Sequence, residues 1–154
     1  MKILIVEPFL SGSHKAWAEG YAKSSQHEVE IISLPGRFWK WRMHGGAVTL
    51  AKRYDKLNFQ PDLILATDML NLPVFQSMVK PECPVAIYFH ENQFTYPWSP
   101  NDADVELQRD KHYGFINYSS TLSADHVYFN SQFHLDSYFS GLEDFLRQFP
   151  DYRE

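Results

Sequence analysis

The sequence predicts an α/β domain built on a doubly wound, parallel, five-stranded Rossmann-like sheet. Three observations carry this. Short β-branched runs alternate with longer segments of helical period along the whole of the 154 residues. Each run is followed by a polar cluster, at 10–14, 36–46, 67–71, 90–97 and 130–131. With 44% hydrophobic and 16% aromatic residues, and no internal repeat or flexible linker, the chain can bury one sizeable core. The expected strand order is 3-2-1-4-5. All five polar clusters then share the carboxyl rim of the sheet, where open α/β folds bind ligands.

Each element has a local reason. Lys2–Val6 is a buried strand, and Gly12-Ser13 opens a helix that Ser13 caps and that runs to about Ser25. Glu28–Ser33 is a second strand closed by Pro35-Gly36. A helix over Ala47–Lys56 is expected after Gly45-Gly46. Asp62–Ala66 is the third strand, and Asp68 is placed to cap a short helix containing Leu72, Phe75 and Met78. Val85–Phe89 is the fourth strand. A long helix is predicted over Val105–Leu122, then a fifth strand at Val127–Phe129. Ser131 caps a last helix, which Pro150 stops.

Charge and cysteine usage narrow the class. The net charge of −5 hides a basic stretch. Residues 37–56 hold six cations against Asp55 alone, a local +5 that leaves −10 for the rest. Such a segment suits a polyanion or a phosphate on one face, and equally a solvated helix surface. No apolar run reaches the roughly 18 residues of a membrane span, and the N-terminal apolar stretch is too short for a signal peptide. Cys83, the single cysteine, can form no intrachain disulfide. These features predict a soluble cytoplasmic protein with no membrane partner.

The loop 7–14 has one glycine and lacks Gly-x-Gly-x-x-Gly, which argues against an NAD(P) enzyme. Gly12 and Ser13 can still present backbone N–H groups and a helix N-terminus to an anion. In Arg37–Arg42, two tryptophans and three cations fall within six positions. Trp39, Trp41 and Arg42 therefore suit a nucleic-acid acceptor, by stacking and ion pairing, with a core tryptophan pair as the competing reading. Their single-residue spacing fits an amphipathic helix poorly. His90-Glu91-Asn92-Gln93 leaves the fourth strand with the donors and acceptors that sugar hydroxyls require. His90 and Glu91 have no third ligand at a suitable spacing, so no metal site is expected. Asp102-Ala103-Asp104 reads as helix capping.

These segments, taken in order, resemble one family. Ile3–Phe9 with Gly12–Lys15, Leu34-Pro35, Trp39–Arg42, Tyr88–Gln93 with Tyr96-Pro97, Tyr113-Gly114 and Phe129–Ser131 resemble the tRNA-queuosine alpha-mannosyltransferases. These are retaining glycosyltransferases of the GT-B fold. The resemblance implies the N-terminal, acceptor-side half of such an enzyme over 1–154, with the donor-binding C-terminal domain absent from this chain. It implies transfer of mannose from GDP-mannose to a cyclopentene hydroxyl of queuosine in tRNA, without a metal or other cofactor. His90 and Glu91 would be catalytic, and Gly12, Ser13 and Ser131 would face the donor. Trp39, Trp41, Arg42, Asn92, Gln93 and Tyr96 would meet the acceptor. Two other readings stay open: a non-enzymatic RNA- or sugar-binding module, and a GT-B transferase with a different acceptor.

Overall fold

The computed structural model describes residues 1–107 and 109–153. Its order is β1 (Lys2–Leu10), α1 (Gly12–Ser24), β2 (Glu28–Pro35), α2 (Trp39–Tyr54), β3 (Leu63–Thr67), α3 (Leu72–Val79), β4 (Val85–Phe89), α4 (Ala103–Glu106), α5 (Lys111–Ser123), β5 (His126–Phe129) and α6 (Gln132–Leu146). A short 3-10 turn follows at Pro150–Arg153. All five strands are parallel, as expected.

The strand order is β2-β1-β3-β4-β5, which corrects the expected 3-2-1-4-5. β3 pairs with β1, Ile3 opposite Leu63 and Ile5 opposite Leu65, so the chain crosses back over β1 after β2. The reason is visible in the residues. Ile3 to Val6 are fully buried and need neighbours on both sides, whereas Glu28 and Glu30 keep β2 at an edge. Fully burying each of those aliphatic side chains stabilises the domain by roughly 1.5–3 kcal/mol. The crossover puts the topological switch point at the carboxyl ends of β1 and β3.

Alternation divides the core. Ile3, Ile5, Leu65 and Ala86 face α1, through Ala18, Trp17 and Tyr21. Leu4, Val6, Ile64, Ala66 and Ile87 face α2, α3 and α6, through Leu50, Phe75 and Tyr138. A third cluster, Met43, Met69, Tyr113 and Ile116 with Trp39 and Trp98, sits under the carboxyl rim.

Two helices depart from expectation. α2 begins at Trp39, eight residues before the expected start, and takes in Trp39–Arg42, whose spacing fits an amphipathic helix poorly. Its buried stripe is Met43, Ala47, Leu50 and Ala51, a helical period that begins inside the aromatic run. The Gly45-Gly46 pair marks close packing: a Cβ on Gly45 would lie 2.9 Å from the Trp41 ring. The helix expected over Val105–Leu122 is instead α4 and α5, residue 108 lying outside the described residues. Arg109 N–H donates to the Asp104 carbonyl across a turn wider than α-helical, and Lys40 holds the loop down. Its Nζ lies 2.5 Å from Asp102 and 2.6 Å from Asp104, over the rings of Trp39 and Trp98. Asp102 also caps α4, accepting from Asp104 N–H.

Candidate active site

The carboxyl ends of β1, β3 and β4 bring Glu7, Asp68 and the half-buried His90 to the switch point, where the buried His14 of α1 joins them. Glu7 ends the apolar run of β1 and is wholly buried. Its Oε1 accepts from Phe9 N–H, and its Oε2 lies 3.0 Å from His14 Nδ1 on the first turn of α1. Burial alone would lower the His14 pKa. The hydrogen bond to Glu7 and the charges of Glu7, Asp68 and Glu91 outweigh it and raise the pKa. Ser11, outside the helix, is its N-cap residue where Ser13 was expected, and Gly12 takes φ +50 to turn the chain into α1.

Asp68 follows β3. Asn71 caps α3, accepting from Val74 N–H, which corrects the capping role expected of Asp68. Asp68 is instead fully buried, accepts from the His90 backbone N–H at 2.9 Å, and burial pushes its pKa up to about 8. His90 leaves β4 with its ring 4.1 Å from that of His14, near Trp17 and Tyr88. Burial and the neighbouring His14 and His134 lower its pKa to about 3, so the ring is neutral. Its Nε2 is buried without a hydrogen-bond partner among the described residues.

A cavity of about 240 Å³ opens here, lined by Phe9, Gly12, Ser13, His14, Trp39, Met69, Glu91, Gln93 and Tyr96 among others. It therefore gathers Gly12, Ser13, Trp39, Glu91, Gln93 and Tyr96 from the sequence-predicted set. A second cavity of about 230 Å³ on the β5 side holds Ser131 with His90, Asn92 and Asn130, and shares Glu91 and Tyr96 with the first. Ser131 is thus separated from Gly12 and Ser13. It caps α6, accepting from His134 N–H. Asn92 shapes its own loop, its Oδ1 accepting from the N–H groups of Phe94 and Thr95. The buried Asn117 fixes the next residue, accepting from Gln93 N–H and donating to the Asp68 carbonyl.

The two tryptophans part company. Trp39 packs against Trp98 and Tyr113 and walls the first cavity. Trp41 is 64% exposed on α2, and Arg42 donates to the Pro35 carbonyl; neither lines either of these two cavities. Sequence reasoning gives no site role to Glu7 or His14, and to Asp68 only that of a helix cap. The signals were available: a carboxylate closing a run of Ile-Leu-Ile-Val, and another closing Leu-Ile-Leu-Ala-Thr.

Two groups have the spacing of a metal site, Glu7–His14–His90 and His14–Asp68–Glu91, each with ligand atoms within 4.8 Å of one another. Both depend on His14, whose Nδ1 is already engaged by Glu7. The proximity has a sufficient account in that ion pair and in a carboxyl kept protonated by burial.

Comparison with known proteins gives this rim a context. The family described as "tRNA-queuosine alpha-mannosyltransferase N-terminal" matches residues 2–154. The chain belongs to that family. It is 36% identical over 155 residues to a Drosophila melanogaster protein named tRNA-queuosine alpha-mannosyltransferase. The match covers 98% of this chain and 39% of that relative, so the chain spans about two fifths of the relative's length. The curated relative is a mannosyltransferase, and this chain corresponds to its N-terminal family domain. No described helix is long and apolar enough to cross a membrane.

Proposed function

We propose that this domain is the acceptor-side half of a cytoplasmic GT-B mannosyltransferase acting on queuosine in tRNA. A separate C-terminal domain holds the nucleotide of GDP-mannose. The observation that carries this reading is the first cavity, where the α1 N-terminus and the Glu91–Gln93 loop face one space in a chain of this family. Gly12 and Ser13 offer backbone N–H groups and a positive helix end to the donor diphosphate, which needs no metal there. In the reaction, the bond from the anomeric carbon to the phosphate oxygen breaks. A bond to a cyclopentene hydroxyl oxygen forms, and the hydroxyl proton passes to the departing phosphate.

His90 supports the transferred sugar. Its buried, unpartnered Nε2 and its depressed pKa make it a neutral hydrogen-bonding group at cellular pH. Convergence of donor and acceptor across two domains supplies the remaining rate, through proximity. The test joins this domain to the remainder of the Drosophila relative and measures mannose transfer to queuosine-containing tRNA. His90→Ala should lower the rate by roughly 30- to 1000-fold, equivalent to about 2–4 kcal/mol of transition-state stabilisation. Wild-type rates in that variant would remove His90 from the site.

A further inference from the structure

The first cavity is acidic, and that is unexpected for a pocket serving only an anionic donor. Glu91 lines it without a hydrogen bond among the described residues; its carboxyl lies within 4.8 Å of His14 and Asp68, and burial raises its pKa against the pull of His14. Asp68 and Glu7 stand directly behind, wholly buried. His14 is the one basic side chain among the described lining residues, and it is committed to Glu7. Gln93 is only 8% exposed and also lines the cavity. Its side-chain amide, too, has no partner among the described residues, although its backbone is pinned by Asn117. Asp68 is protonated by burial and Glu7 is paired with His14, so Glu91 and the Gln93 amide are the lining groups left with hydrogen-bonding capacity for a ligand.

A ligand that engages both carries a cation beside hydroxyl groups. Queuosine has this chemistry: a secondary amine, protonated at neutral pH, joins its base to a cyclopentenediol. We propose that Glu91 binds the acceptor's secondary ammonium, with the Asp68 carboxyl behind it and the Gln93 amide hydrogen-bonding the adjacent diol. This rests on the function proposed above and assigns Glu91 to acceptor selection. A charge-assisted bond in this setting is strong, and an acceptor with a neutral group in place of the amine leaves Glu91 buried and unpaired. The ammonium also fixes the diol in register, since hydroxyl and amine sit on one small ring.

The 154-residue chain itself provides the test. Queuosine nucleoside, its N-acetylated form and guanosine are titrated into the chain and followed by amide NMR. Queuosine should move the His14, Glu91 and Gln93 signals. N-acetylation, which removes the charge and keeps the diol, should weaken binding at least tenfold. Glu91→Gln should weaken queuosine binding similarly while leaving weak N-acetyl binding unchanged, a readout that a merely structural role would not produce. Equal binding of both forms, or no binding of queuosine, overturns the proposal. Micromolar Mn²⁺ binding at His14, Asp68 and Glu91 overturns it too, by making the cluster a metal centre. Failure of the functional reading looks different: the joined enzyme would then transfer no mannose to queuosine-containing tRNA, whatever the isolated chain binds.

Discussion

Asp68 places a pH dependence in the stability of the fold. Burial lifts its carboxyl from an ordinary 3.8 to about 8, so the folded chain retains a proton that the unfolded chain has released. A group whose folded pKa is raised stabilises fully below its unfolded value. That contribution is lost as pH rises toward the folded one. The Asp68 contribution should therefore decline between about pH 4 and pH 8, against an opposite contribution from His90, whose folded pKa is lowered to about 3. His14 adds to the same trend above about pH 6.5, because its folded pKa is raised as well. Asp68→Asn keeps an oxygen to accept from His90 N–H but cannot ionise, so the decline should flatten. Melting temperatures of both chains at pH 5 and pH 8 measure this. An unchanged slope in the variant would mean that Asp68 ionises freely in the fold.

At the scale of the element, α2 separates two roles that adjacent letters suggested were one. Trp39→Ala removes a ring packed on Trp98 and Tyr113 and should destabilise the domain by roughly 2–4 kcal/mol. Trp41→Ala should leave the melting temperature within a few degrees, because its ring is 64% exposed. It should weaken binding of queuosine-containing tRNA by roughly 1–3 kcal/mol. Chemical denaturation beside a filter-binding assay tells the two apart; a Trp41→Ala chain with wild-type tRNA affinity would end the stacking role. The same helix marks what sequence could and could not give. Val85–Phe89 is legible to the residue, because Pro84 and a polar tetrad bracket an apolar run. The start of α2 is not, because Gly45-Gly46 looks like punctuation until the Trp41 ring and Pro8 fill the space beside them. The rim positions of Gly12, Glu91 and Gln93 followed from strand ends alone. Glu7 and Asp68 each carry a local signal at the end of an apolar strand, but their convergence with His14 needs the pairing of β1 with β3, a long-range fact that no local period encodes.

At the scale of the molecule, the proposed acceptor-side role predicts a specific absence. The isolated chain should give no calorimetric signal with GDP-mannose if, as proposed above, the nucleotide pocket belongs to a separate domain. Micromolar binding would reverse the assignment of donor and acceptor halves. Two charged groups differ in their exposure: Arg37, Lys52, Arg53 and Lys56 lie exposed on α2 and its flanks, whereas Glu7, Asp68 and Glu91 sit inside the rim. Salt screens the first set and scarcely reaches the second. Ionic strength should therefore act as a selector. Raising it should weaken binding of every tRNA while widening the ratio between queuosine-containing and unmodified molecules, so the domain is expected to discriminate best where it binds least tightly.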